Sequence, residues 1–343
     1  MEARFTTFQT ISAKACPIYL KLKYQQTKRR QETLEIQKQK RNCQVNERRH
    51  LKNNAHSHSM EIDWKKNETI VPNLESYELA TSMMNSEWML EKPEDIENWI
   101  AVLCPEGKRC CVIAQDNKTK SVNKYGTSLF HFPSLFPYGC HLPNNCPSHR
   151  KRTVLDCIYN FKIKKFYILD IIEWMGVPYT DFDAEFRFYF IQSKLSEIPG
   201  INEKSLKNTY PFELAPRMRT SELYIHLMEK NQYFHDHVEL DGINFYYPES
   251  MYTPGDSPLM LWLKIFMIPE ILHKPINDQL EQLYRPSNYV NIFEYIQNTK
   301  KKSRKNRRKK STSSSCDTME VDSMIEVEPE KDPAIGNDMC MEN

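Results

Sequence analysis

Asp241-Gly242-Ile243-Asn244-Phe245, then Tyr252-Thr253-Pro254-Gly255, then Leu259-Met260-Leu261-Trp262-Leu263-Lys264, is the stretch on which the reading of this chain turns. The alternation after Asp-Gly predicts a strand. Pro254-Gly255 with Asp256-Ser257-Pro258 predicts a turn, and the second apolar run predicts a returning strand. Trp262 falls inside that second strand, where an aromatic of its size either fills a core or makes the floor of a flat pocket. The stretch by itself leaves both open.

Around it, 343 residues are enough for one sizeable core. Both ends are polar and poor in aromatics, so a single central domain of roughly 200 residues is predicted. The net charge of +2 conceals segregation: basic near the start, basic again near Lys300, acidic at the end. No apolar run is long enough to span a membrane, and no charged-then-apolar leader is present, so no membrane partner is expected. The ten cysteines lack paired spacings, which fits a reducing compartment, cytosol or nucleus. With only eight glycines there is no GxGxxG or GxxxxGK[ST] loop for a dinucleotide or a nucleoside triphosphate.

Residues 1–16 carry Met1, Phe5, Phe8 and Ile11 at the spacing of one helix edge, either a frayed end or a peptide that docks in a groove. The arm 17–55 is dense in cations and, from Lys21 to Lys52, free of Gly and Pro. Its apolar residues make no stripe, so a helix there is not held by burial in its own protein; it is disordered or held by an acidic partner. Residues 56–80 read as a linker.

The domain 81–299 follows. Trp99–Cys104 and Cys110–Ala114 read as a hairpin with a cationic tip at Pro105–Arg109, and Val154–Phe161 and Lys165–Trp174 as a second strand pair. Phe186–Leu195 is apolar enough to be buried on more than one face. Glu222–Lys230, Asn277–Tyr284 and Val290–Asn298 read as helical. Cys140, His141, Cys146 and His149 are metal-capable, as are His235, Asp236, His237 and Glu239, but neither set has a standard zinc spacing, and no metal or cofactor is assigned. Residues 300–343 form a basic block, Lys300–Lys310, and then an acidic Ser-rich tail read as disordered.

In order, the central strands resemble the nucleotidyltransferase domain of mRNA capping enzymes and DNA ligases. That family uses Lys-x-Asp-Gly-x-Arg, whose lysine attacks the nucleotide. The similar stretch here is Cys104-Pro105-Glu106-Gly107-Lys108-Arg109, with a cysteine at the nucleophile position. Leu155-Asp156-Cys157-Ile158 resembles Leu-Asp-Gly-Glu, with isoleucine for the metal-binding glutamate. Tyr167–Asp170 and Asp241–Phe245 resemble the next two motifs, and Leu261-Trp262-Leu263 stands where the family has Lys-Trp-Lys. Phosphoryl transfer needs an amine, a metal carboxylate and cations on the phosphates. These positions have become neutral or apolar while the tryptophan remains.

A basic arm in front of such a degenerate domain resembles the snurportin family of nuclear import adaptors. The resemblance runs through Ser86-Glu87-Trp88, Cys104-Pro105 with Gly107-Lys108-Arg109, Leu155–Asn160, Phe186–Tyr189, Ser193-Lys194-Leu195, Pro258-Leu259 and Trp262-Leu263. It implies an α+β fold: a degenerate capping-enzyme and DNA-ligase-like nucleotidyltransferase domain of antiparallel sheets, preceded by a basic helical arm and followed by a disordered tail. It implies a non-catalytic protein that binds the 2,2,7-trimethylguanosine cap of spliceosomal small nuclear RNA, not DNA, and shuttles between cytoplasm and nucleus.

By the same resemblance Trp262 stacks on the base, Ser86, Trp88 and Cys104 line the pocket, and Gly107, Lys108, Arg109 and Lys124 face the cap. Lys28, Arg29, Arg30, Lys40, Arg41, Arg48 and Arg49 fall at the charged positions of an importin-β-binding arm. Met1, Phe5, Phe8 and Ile11 match the exportin-binding tip in place and apolar spacing, with phenylalanine and isoleucine for a more leucine-like pattern. An active guanylyltransferase or ligase, and a general RNA-binding protein with basic arms, are the alternative readings.

Overall fold

Runs of apolar residues set by Gly, Pro and Asn turns form twelve strands in the computed structural model, which describes residues 17–49, 83–141, 151–229, 233–234, 238–299 and 301. They are β1 (Met84–Trp88), β2 (Ile100–Pro105), β3 (Lys108–Gln115), β4 (Lys118–Val122), β5 (Ser128–Phe132), β6 (Arg152–Asn160), β7 (Lys165–Trp174), β8 (Val177–Pro178), β9 (Phe212–Leu214), β10 (Arg217–Arg219), β11 (Leu240–Tyr246) and β12 (Gly255–Leu263). The helices are α1 (Pro17–Arg48), α2 (Ala184–Ser196), α3 (Thr220–Met228), α4 (Ile268–Ile271) and α5 (Asp278–Tyr284); residues 292–299 are also helical, as expected for 290–298. The tip 1–16, the linker 56–80, Cys146, His149, His235–His237 and the acidic tail lie outside the described residues. The chain from Ile296 onward forms a second unit, separate from the one that ends at Tyr295.

One sheet has the order β1-β12-β11-β2-β10 and the other β5-β4-β3-β6-β7-β8, with β9 parallel to β7. Every residue of β6, and all of β7 but its first, is buried. One face of these strands meets the first sheet. The other packs Cys157, Phe166, Ile168 and Phe212 against Ile191 and Leu195 of α2. Asp183 starts that helix, its side chain accepting the Phe186 N–H at 2.7 Å. The apolar run 186–195 is therefore a helix whose Phe188, Ile191 and Leu195 are buried while Tyr189 is exposed.

Three expectations are corrected. The stretches flanking Pro105–Gly107 are not a hairpin. β2 pairs with β10 and β11 in one sheet, while β3 pairs with β4 and β6 in the other. The turn groups are taken by neighbours instead of each other: Glu106 N donates to Glu239 O (2.8 Å), and Asn160 Nδ2 donates to Glu106 O (2.8 Å). Gly107 runs so close to β6 that a Cβ would stand 2.5 Å from Tyr159 O.

The turn read at 254–258 also moves: β12 already begins at Gly255. Pro258 is tolerated inside it because β11 pairs only with Met260–Leu263 and the β1 register shifts just there.

Finally, α1 is held by its own domain, through polar rather than apolar contacts. Gln26 Nε2 donates to Glu87 Oε2 and Trp88 O (both 2.9 Å), and Leu90 N donates to Gln26 Oε1 (3.2 Å). Met251 N donates to Gln37 Oε1 (2.9 Å), Lys40 pairs with Asp181 (2.6 Å), and the Arg30 guanidinium lies over Trp99. A helix polar nearly all round is accommodated when its amides satisfy an edge strand.

Two arginines join the layers. Arg187 of α2 makes a two-point contact with Asp170 of β7 (2.9 and 2.8 Å), and its Nη1 donates to Phe182 O and Ser250 O; both side chains of the pair are fully buried. Arg109 of β3 grips Asp156 of β6 (2.9 and 2.5 Å) and donates to Met84 O of β1, while Tyr252 OH donates to Asp156 Oδ2 (2.9 Å). Burial opposes the charge on each arginine, but its aspartate outweighs that and keeps the guanidinium protonated.

Asp170→Asn would leave a buried guanidinium uncompensated and is expected to cost about 3–5 kcal/mol, read from urea midpoints, whereas Asp170→Leu with Arg187→Leu together costs less. A second expectation concerns alkali. Burial pushes up the Cys104, Cys110, Cys111 and Cys157 thiols and the Tyr246 and Tyr252 hydroxyls. The unfolded chain releases these protons first, so stability holds below about pH 8 and then falls by up to about 1.4 kcal/mol per pH unit for each such group. A flat denaturation profile from about pH 7 to 10 would contradict this.

Candidate functional site

Trp88, Trp262, Asn244, Val102 and Arg217 are register partners on five adjacent strands, β1, β12, β11, β2 and β10. Directly opposed residues project from one face, so these side chains form a row. Trp88 and Trp262 are both half-buried, whereas Leu261 and Leu263, on the other face of β12, are fully buried. Trp262 is therefore not a core residue. Its ring lies across Gly242, where a Cβ would stand 2.4 Å from Cζ2 and 2.7 Å from Cη2. An interior-strand glycine marks such a close approach, and that was the signal available in the sequence.

The next row is Cys104 opposite Gly242. Cys104 is buried; its thiol donates to Val102 O (3.6 Å) and its sulfur accepts from Asn244 Nδ2 (3.3 Å). Burial pushes this thiol up to about 12, so the group at the nucleophile position is neutral at physiological pH. Lys264 Nζ stands 5.7 Å from the Trp262 ring centroid and pairs with Asp241. Tyr295 packs edge-on against Trp88 with centroids 5.9 Å apart.

The remaining candidates divide. Ser86 is half-buried, opposite Ser257 in the β1–β12 pair that carries both indoles. Arg109 reaches this sheet through Met84 O, but its guanidinium is committed to Asp156. Lys108, one residue earlier, projects from the opposite face of β3, beside Tyr159. Lys124 is exposed in the β4–β5 turn, its Nζ 5.0 Å from the Tyr125 centroid. Val122 opposite Cys111 sets that turn at the end of the sheet where β3 begins. So Trp88, Trp262 and Cys104 come together with Ser86 beside them. Lys108 and Lys124 lie on the neighbouring sheet. Asn244, Gly242 and Tyr252 are participants that motif reasoning did not single out.

Of the arm cations, Arg29 pairs with Glu87 (2.6 Å), Arg41 with Glu249 (3.9 Å), and Lys28 with Glu32 of its own helix (3.7 Å), while Arg49 is exposed. Glu87 and Trp88 are adjacent in β1 and point to opposite faces, so the Glu87 contacts leave the indole face alone. Cys140 is buried and His141 exposed; their partners Cys146 and His149, and Met1, Phe5, Phe8 and Ile11, fall outside the described residues. No helix among the described residues is long and apolar enough to cross a membrane.

Similarity to solved structures is distant. A mycobacterial DNA ligase D complexed with ATP and MES shares 10% identity at a TM-score of 0.35, over 55% of this chain and 61% of the ligase. The ATP-dependent DNA ligase of bacteriophage T7, complexed with ATP, shares 9% at 0.32, over 54% and 68%. A protein titled Pmar-Lig_PreS3 shares 12% at 0.37; the match covers 54% of this chain and 46% of that one, so this chain spans about half its length. The sequence model described as "Snurportin1, m3G cap-binding domain" matches residues 82–265, which contain both indoles, Cys104, Gly242 and every other cap-facing candidate. More than half of the chain lies within that match, and the chain belongs to the snurportin m3G cap-binding family.

Proposed function

We propose that this chain is a non-catalytic nuclear import adaptor that binds the 2,2,7-trimethylguanosine cap of spliceosomal small nuclear RNAs and links the ribonucleoprotein to importin β. One observation carries the reading: Trp262 is a half-buried indole whose ring closely approaches Gly242, beside Trp88, inside the matched segment. Methylation at N7 makes the guanine a cation, which an indole face attracts by stacking and by cation–π interaction, together about 1–3 kcal/mol. Dimethylation of N2 removes two donors, so a pocket walled by Ser86, Trp88 and Cys104 strands none of them. Lys124, exposed in the β4–β5 turn, is the cation proposed for the triphosphate bridge, whereas Lys108 projects from the other face of β3 beside Tyr159. Arg109, matched to Asp156, instead holds β1 against β3.

In this reading residues 17–55 are the importin-β arm, 56–80 the tether, 81–299 the cap-binding domain and 300–343 a tail, with 1–16 as the exportin-binding tip of a protein that shuttles between cytoplasm and nucleus. The cations proposed for importin β include Arg29, Lys40 and Arg41, which the domain's own carboxylates engage. Carrier binding therefore draws α1 off the sheet edge. Each such exposed pair is worth about 0.2–1 kcal/mol, weak enough to exchange.

Titration of tryptophan fluorescence with the trimethylated cap dinucleotide is expected to give saturable quenching, at least about tenfold weaker with the monomethylated analogue and lost in Trp262→Ala. Equal quenching by uncapped RNA would favour a general RNA-binding protein. The enzyme reading makes the opposite demand. A neutral, buried thiol at position 104 is no nucleophile, so incubation with GTP or ATP and Mg²⁺ is expected to leave no covalent nucleotide adduct by intact mass, and a lysine adduct would end the adaptor reading.

A further inference from the structure

Asn244 is 4% exposed and sits between Trp262 and Val102 in the row that crosses the first sheet. Its Nδ2 donates to the Cys104 sulfur at 3.3 Å, and its Oδ1 is buried with no partner. The orientation is fixed chemically. Cys104 gives its one proton to Val102 O, so the sulfur can only accept, and the amide must present N–H to it and turn its oxygen away. A buried carbonyl oxygen left without a donor destabilises a fold unless something supplies one.

We propose that Asn244 reads the Watson–Crick edge of the bound purine, its Oδ1 accepting the N1–H. The inference rests on the cap-binding reading and names how that pocket distinguishes its ligand. In a guanine dimethylated at N2 the N1–H is the last donor on that edge, and the positive charge from N7 methylation strengthens it. A single acceptor oxygen matches a single donor. A monomethylated guanine brings two further N–H groups that Oδ1 cannot also take, so they lose water without replacement. Cys104, one of the pocket walls, also acts as a positioning residue: it holds the Asn244 amide the right way round. The thiol at the former nucleophile position thus serves as a relay from Val102 O to Asn244.

The test compares the trimethylated cap dinucleotide with the same compound methylated at N1, by fluorescence titration of the full chain. Wild type is expected to prefer the N1–H form by about tenfold or more, since the extra methyl removes the donor and collides with Oδ1. Asn244→Ala removes the acceptor and makes room, so the ratio falls to about one, by weakened binding of the N1–H form and gained binding of the N1-methyl form. Cys104→Ala also lowers the ratio, while Cys104→Ser, which keeps a donor and an acceptor, restores it. Asn244→Ser, read in the same way, covers the case in which the alanine variant fails to fold. An unchanged ratio in folded Asn244 variants overturns this role while leaving cap binding intact. Absence of saturable quenching in wild type overturns both.

Discussion

The two-point contact between Arg187 and Asp170 is the constraint on which the rest of the molecule depends. It fixes α2 to β7, a buried strand of the second sheet, and through Phe182 O and Ser250 O it also ties the segments that lead into α2 and into β12. A buried ion pair of this kind is seldom the most stable filling for a core, because desolvation offsets most of the attraction. What it supplies is registration. Asp156 with Arg109 repeats the device one strand over and adds the edge strand that carries Trp88. The two layers can then meet in one alignment, and a half-buried indole row is held open beside a closed core.

That arrangement accounts for the chemistry of the site. Nucleotide transfer requires charge to be available at the reacting atoms, whereas here Asp156 and Asp170 are each matched to a guanidinium and the Cys104 thiol is neutral. The row holds two half-buried indoles and, buried between Trp262 and Val102, one amide oxygen without a partner. In the reading proposed above, that row is a platform for a flat cation.

The paired strands 154–161 and 165–174, the β11–β12 pair and the Glu222–Lys230 helix were legible because their apolar periodicity is local. Trp262 could be placed in its strand from the sequence, and Gly242 marks a close approach, but that the ring approaching it is Trp262 depends on the pairing of β11 with β12. The β2–β3 corner was misread because Pro105-Glu106-Gly107 has the composition of a hairpin turn. What separates the two outcomes is the approach of Gly107 to β6, a contact between positions some fifty residues apart. The docking of α1 was missed for a related reason: apolar stripes announce burial, while glutamines that satisfy an edge strand leave no periodic mark. Asn244 escaped because its role rests on the proton of Cys104 and the carbonyl of Val102 together, and neither is visible as a motif.

The way α1 is seated has a thermodynamic corollary for any protein that takes up this arm. Tethered to the domain it touches, the helix meets Glu87, Asp181 and Glu249 at an effective concentration set by the chain itself, independent of dilution. A receptor must displace an internal rival that is always present, so its apparent affinity is scaled down by the fraction of molecules in which the arm is undocked. Part of the rival is ion pairs, and that part of the discount shrinks as ionic strength rises even while the receptor's own electrostatic attraction weakens, so the two dependences oppose one another; the glutamine contacts do not share it.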